Sequence, residues 1–177
     1  GFALMVIVYY LNASSMMLND NGIINNPYQA ILISLIFIFF SWFIYDFLCK
    51  NFQSKDQTLF VITGFLIIFF FSFILSQIYG SRAAYIHVGA IIGTIMAANV
   101  FRVIIPAQKN LVLAAENKSN PDLNLSLEAK NRSVHNNYFT LPILFIMISS
   151  HFSFTYGNNY NWLMLAIISI AGALTRH

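Results

Sequence analysis

The chain has 177 residues, of which 58% are hydrophobic and only 8% are charged. A soluble globular domain carries about 25% charged residues, so this composition excludes a soluble enzyme, a disordered tail and a nucleic-acid-binding module. The net charge of +3 is too small to indicate a polyanionic partner. The single cysteine, Cys49, excludes a disulfide framework, a thiolate zinc site and a CxxCH haem attachment within this chain.

Apolar segments of membrane-spanning length follow one another along the chain. A bilayer core requires about 20 apolar residues in a helix, and three segments reach that length while two are somewhat shorter. In chain order these are a partial segment 1–11 and the segments 28–48, 58–79, 83–105, 139–154 and 161–174. The sequence therefore predicts an all-α fold, a polytopic transmembrane helix bundle with five full spans and a partial first helix.

The limits of the chain and its one interior proline lead to two further expectations. The chain opens at Gly1 with apolar residues at once, so we expect residues 1–177 to be one integral membrane domain that is a fragment of a larger protein. Pro142 is expected in the first turn of the fourth full span, where proline is tolerated.

The loop charges predict the orientation. Cytoplasmic loops of membrane proteins carry an excess of Lys and Arg. Alternating sides place eight basic residues inside or at the inner border and one, Arg82, outside. The C-terminus is therefore predicted to be cytoplasmic. Segment 106–138 is predicted to be the one sizeable soluble loop, with short helical pieces at 111–117 and 126–130.

The four histidines fall at two predicted depths. His87 and His151 lie near the outer ends of their spans, whereas His135 and His177 lie at the inner side. Imidazole is a haem iron ligand, and a helix bundle holds a porphyrin between facing histidines. The pattern therefore indicates outer and inner haem b sites that pass electrons across the bilayer. The plainer alternative is that interfacial histidines cap helices or bind lipid headgroups or water.

Other polar and small residues within the spans suit helix packing. Gly89, Gly93 and Ala97 form a stripe that allows a neighbouring helix to approach closely, and near His87 it would also admit a flat ring. Asn99 is a mid-span amide that we expect to bond across helices.

Three segments carry a family resemblance: 85–108, 132–151 and 172–177, with the opening 1–10 also fitting an early helix. The most specific run is His135-Asn136-x-Tyr138-x-x-Leu141-Pro142, followed by Met147-Ile148-Ser149-x-His151. These segments resemble the membrane domain of the bacterial urate oxidase that is coupled to cytochrome c, and the similarity covers nearly the whole chain.

This resemblance implies a domain of about eight helices in the bacterial inner membrane that takes part in oxidising urate to 5-hydroxyisourate in purine catabolism. Electrons would leave to a c-type cytochrome, either separate or a further domain of the same polypeptide. The residues in matching motifs are His87, Asn99, His135, Asn136, Tyr138, His151, Arg176 and His177.

Two other functions fit the residues alone. A transporter or channel for a small solute would line its path with the same amides and histidines. A structural membrane anchor would use them only to hold helices together.

Overall fold

The computed structural model describes residues 2–19, 23–52, 57–149 and 151–176. Within these ranges the chain is almost entirely helical and forms no strand, so the all-α prediction is confirmed. An isolated β-bridge joins Leu18 to Tyr79.

The helices follow one another with short connections. The helix bounds are α1 Phe2–Met5, α2 Ala13–Met16, α3 Pro27–Phe52, α4 Gln57–Ile78, α5 Ser81–Asn99, α6 Ile105–Glu116, α7 Leu123–Ser149, α8 Ser153–Tyr156 and α9 Asn161–Arg176. Two π-helical turns, Val6–Tyr10 and Val100–Ile104, continue α1 and join α5 to α6.

Among the described residues, three helices are long and apolar enough to cross a membrane: Pro27–Asn51, Leu59–Ile78 and Ser81–Glu116. They overlap the first three full spans predicted from the sequence, and the third helix extends past its predicted span to Glu116. A shorter apolar helix covers Asn161–Thr175. These lengths and compositions are consistent with a membrane protein.

The buried face of α3 is more polar than its exposed face. Small and polar side chains recur at helical spacing along the buried face, at Ala30, Ser34, Ile38, Ser41, Tyr45 and Cys49. Large apolar side chains such as Phe39 and Phe40 are more than half exposed. Since lipid is as apolar as these phenylalanines, such a helix buries its polar stripe in protein and leaves its apolar face outside.

The segment 106–138, predicted to be a loop, is mostly helix. The helical run that begins at Ser81 continues to Glu116, and its end has the left-handed conformation at Lys118, with φ of 51°. The Lys118 N–H donates to the carbonyl of Ala115 and the Ser119 N–H to that of Ala114, which is the Schellman arrangement. The connection left between α6 and α7 is therefore only a few residues long.

The next helix begins earlier than predicted. The Asp122 carboxylate accepts backbone N–H bonds from Asn124 and Leu125, at 2.9 and 3.3 Å, and so caps the start of α7. Pro142 consequently lies inside a 27-residue helix, and the prediction that it occupies a first turn is wrong. The helix continues through Pro142, although proline has no N–H and so cannot donate the usual backbone hydrogen bond at that position.

The core centres on α5, which packs against α3, α4 and α7, and α7 in turn packs against α9. Glycines mark the closest approaches. A Cβ on Gly89 would lie 3.2 Å from Ile146, and one on Gly93 would lie 3.2 Å from Ile143, both on α7. A Cβ on Gly172 of α9 would lie closer still to α7, at 2.7 Å from the backbone nitrogen of Pro142.

Candidate functional site

Two histidines lie among aromatic and polar side chains at two levels along α3. The His87 site comprises His87, Tyr9, Tyr10 and Tyr79, and it contacts α3 at Ala30 and Ser34. The second site meets α3 about three turns later, at Tyr45 and beyond. The rise of an α-helix separates Ser34 from Tyr45 by about 16 Å, and eleven residues bring both back to the same face.

The His87 ring is enclosed by tyrosines. It stacks on Tyr79 with ring centroids 4.5 Å apart and lies 6.3 and 6.4 Å from the rings of Tyr9 and Tyr10. Its side chain is 1% exposed. Nδ1 lies 2.6 Å from the carbonyl oxygen of Ala83, which requires the proton on Nδ1. Nε2 has no hydrogen-bond partner, so a buried lone pair faces the site.

Hydrogen bonds between segments distant in the sequence hold Tyr79 in this enclosure. Tyr79 directly precedes α5, and the Gly80 N–H donates to the carbonyl of Met17 over 2.8 Å. A Cβ at Gly80 would lie 3.2 Å from the carbonyl oxygen of Leu18, so glycine permits this close contact. The Tyr79 hydroxyl donates to the carbonyl of Ala30 over 2.9 Å. These bonds fix Tyr79 against α3, eight residues before His87 in the chain.

The His135 site comprises His135, Tyr45, Cys49 and Phe60. The Tyr45 hydroxyl lies 2.6 Å from Nδ1 of His135, and the Cys49 sulfur lies 3.9 Å from the same nitrogen. Phe60 of α4 stacks on the imidazole with ring centroids 4.9 Å apart. Tyr45 and Cys49 are spaced i, i+4, which places both on the same face of α3. The site therefore joins α3, α4 and α7.

An ion-pair cluster adjoins the His135 site. Arg132 is fully buried, and its Nη2 lies 2.6 Å from the Asp46 carboxylate and 3.2 Å from that of Glu128. Lys50 also pairs with Asp46, at 2.7 Å. The Arg132 guanidinium carbon lies 5.1 Å from the centre of the Tyr45 ring. Its Nε and Nη1 have no hydrogen-bond partner. The cluster balances two cations against two carboxylates.

Amides connect three helices between the two histidine sites. The Trp42 indole donates to Asn99 over 3.3 Å, Asn99 donates to Asn136 over 3.0 Å, and Asn136 donates to the carbonyl of Met96 over 2.9 Å. The prediction that Asn99 bonds across helices is confirmed. Arg102 is exposed and lies over the Trp42 ring at 4.9 Å.

The remaining residues singled out in the sequence lie apart from these sites or outside the described residues. His151 is exposed in the turn after α7, whereas His87 is buried. His177 is outside the described residues, and Arg176 is the last residue of α9. Tyr138 is half-buried on α7. Within the stripe of small residues, Gly89 and Gly93 contact α7, while Ala97 is exposed.

Sequence reasoning missed three side chains that build the sites. Arg132 falls within the segment 106–138 that was predicted to be a loop, and no sequence pattern singled out Tyr45 or Tyr79. The i, i+4 spacing of Asp46 with Lys50 and of Glu128 with Arg132 is the signal that pointed to paired charges. The part of the chain that the structure describes holds no cluster of three His, Cys, Asp or Glu that would bind a metal ion by itself.

The fold and sites define a helical protein suited to a membrane, with two histidines packed against aromatic side chains at separate levels. Residues 1–177 match the urate oxidase N-terminal family, so the whole chain belongs to that family. No curated protein and no solved structure gives a match.

Proposed function

We propose that this chain is part of a membrane oxidoreductase that oxidises urate to 5-hydroxyisourate and delivers the electrons, through haem b, to a c-type cytochrome. Membership of the urate oxidase N-terminal family supports the substrate. The observation that carries the cofactor is the buried Nε2 of His87, which has no protein partner.

The geometry of His87 fits an iron ligand. A histidine that binds a metal through one ring nitrogen usually donates its other N–H to a carbonyl or carboxylate, which fixes the tautomer and the ring orientation. His87 has that partner in the carbonyl of Ala83, and stacking on Tyr79 restrains the ring further. When bound, haem supplies a one-electron acceptor at this position. The protein supplies the donor atom and a site that excludes water.

A haem test follows from the difference between His87 and His151. We expect the purified full chain, reconstituted with haem, to show a Soret band and a pyridine haemochrome, and His87→Ala to lose most of both. His151→Ala is the matched control, because that histidine is exposed. If His151→Ala also loses the band, the two outer histidines of the sequence prediction bind the iron together. Absence of a haem signal from the unaltered protein would overturn the cofactor proposal.

A second experiment tests the reaction. Urate added to the haem-loaded protein in nanodiscs should reduce the haem, and a soluble c-type cytochrome added afterwards should take up the electrons. Xanthine, which lacks the 8-oxo group of urate, serves as the control compound. Reduction of the haem by dithionite but not by urate would contradict the assignment of substrate.

The same proposal places the protein in the bacterial inner membrane with its C-terminus in the cytoplasm, because Lys and Arg concentrate in alternate connections. A C-terminal alkaline phosphatase fusion should be inactive and a C-terminal green fluorescent protein fusion should fluoresce. The opposite result for both fusions would reverse the orientation.

A further inference from the structure

A hydrogen-bonded phenol and imidazole lie together in the His135 site, and the proposed role of His87 makes no use of them. We propose that Tyr45 and His135 form a redox-active pair, in which Tyr45 loses an electron while its phenolic proton passes to Nδ1 of His135. The inference rests on the proposed function in one respect, since haem, if bound, would supply the electron acceptor in the intact protein.

The step balances within the pair and its acceptor. The O–H bond of Tyr45 breaks and an N–H bond forms at Nδ1 of His135, which leaves a neutral phenoxyl radical and an imidazolium. The electron leaves to a one-electron oxidant, a role that haem would supply if it were bound in the intact protein. The reduced substrate returns the electron to Tyr45, and the proton returns from Nδ1. The atoms involved are 2.6 Å apart, so the proton moves within an existing hydrogen bond.

The surroundings require the proton to leave with the electron. The Arg132 guanidinium lies 5.1 Å from the centre of the Tyr45 ring, and a positive charge at that distance disfavours a cationic tyrosine radical. Transfer of the proton to His135 leaves the phenoxyl neutral. The carboxylates of Asp46 and Glu128 are both paired with Arg132, so they reduce the positive charge that the guanidinium presents to the pair.

The hydroxyls of two other buried tyrosines, Tyr79 and Tyr85, have backbone acceptors instead. The Tyr79 hydroxyl donates to the carbonyl of Ala30, and the Tyr85 hydroxyl donates to the carbonyls of Thr155 and Asn161. A backbone carbonyl accepts a hydrogen bond but does not take up a proton in neutral solution, whereas imidazole does. Tyr45 is also 7% exposed, so solvent does not replace His135 as the proton acceptor.

The test uses an external oxidant, so it does not depend on haem. The full chain in nanodiscs is mixed with a ruthenium polypyridyl photo-oxidant and a sacrificial quencher, illuminated, and frozen for electron paramagnetic resonance. We expect a tyrosyl signal that falls several-fold in Tyr45→Phe. Tyr28→Phe is the matched control, because Tyr28 lies on the same helix and is 80% exposed. Equal signals from the two variants would overturn the pair.

Two further measurements separate the pair from a general effect of mutation. His135→Gln keeps Tyr45 but removes the proton acceptor, so the signal should fall while circular dichroism shows an intact helical fold. The unaltered chain in D₂O should form the radical more slowly than in H₂O, and equal rates would overturn coupled proton transfer.

The haem proposal and the proposal of a Tyr45–His135 redox pair can be refuted independently of each other. A Tyr45 signal from protein that binds no haem upholds the pair and refutes only the cofactor. A haem-loaded protein with a normal Soret band but no Tyr45 signal refutes only the pair.

Discussion

Replacement of Gly172 by alanine tests how closely α9 approaches α7. An added Cβ would lie 2.7 Å from the nitrogen of Pro142 and 3.0 Å from both its Cα and the ring of Phe145. Two of these three atoms are backbone, so rotation of a side chain does not relieve the overlap. The helices must move apart, and this loses van der Waals contacts between them. In a membrane these contacts drive helix association, because the hydrophobic effect does not operate between helices surrounded by lipid.

The expected magnitude follows from two opposing effects. Overpacking a close contact costs about 1–3 kcal/mol, and contact with backbone places Gly172→Ala at the upper end. Alanine in place of glycine within a helix returns about 1 kcal/mol of helix propensity. We therefore expect Gly172→Ala to lower the free energy of unfolding by about 2 kcal/mol.

Gly64 on α4 provides the matched control. A Cβ there would have no atom within 4 Å, so Gly64→Ala should show the propensity gain alone and stabilise the protein by about 1 kcal/mol. Gly89→Ala should fall between the two, because its one close neighbour is a methyl group of Ile146 that is able to shift. The assay is unfolding by sodium dodecyl sulfate in mixed micelles, followed by circular dichroism. If Gly172→Ala proves as stable as Gly64→Ala, the close approach of α9 to α7 is refuted.

The remaining predictions concern buried charge and helix ends, measured by the same unfolding assay. Arg132→Leu should destabilise the protein by about 3–5 kcal/mol, because it removes the buried partner of Asp46. Adding Asp46→Leu should restore part of this loss. A double variant that is less stable than Arg132→Leu would contradict this expectation. Asp122→Ala should cost about 0.5–2 kcal/mol through loss of the α7 cap, and no change would refute the cap. Lys118→Gly should stabilise by about 1 kcal/mol because it relieves a left-handed backbone, whereas Lys109→Gly within α6 should destabilise by a similar amount; equal effects would refute the Schellman end.

Composition predicted the helical class because apolar runs of membrane length leave few other structures available. Hydropathy failed where the chain is polar and still helical, from Leu123 to the predicted fourth span. Hydropathy reports the preferred solvent of a segment, whereas helix formation there depends on the Asp122 cap and on packing against neighbouring helices. Because α7 begins earlier than predicted, Arg132 lies on this helix and is buried, although it was expected in a loop.

In each candidate site the histidine could be predicted from the sequence, whereas its tyrosine partners could not. An ionisable side chain within an apolar span is rare and expensive, so His87 stood out by residue type alone. His135 stood out by its position at the inner side, just before the fourth span. Their tyrosine partners did not, since tyrosine is common at span ends and has an ordinary role in the aromatic belt. Tyr45 and His135 are ninety positions apart in the chain, and only the tertiary packing of α3 with α7 joins them.

The continuous helix α3 sets the distance between the two histidine sites. Ser34 bonds to Tyr10 in the His87 site at 2.6 Å, and Tyr45 bonds to His135 eleven residues later, on the same face of an unbroken helix. The rise of the helix therefore places these two contact points on α3 about 16 Å apart. Electron transfer between the sites would then depend on the straightness of α3 and on the amide network at Trp42 that holds its middle against α5. Loss of that network should change the transfer rate while leaving the immediate contacts of both histidines in place.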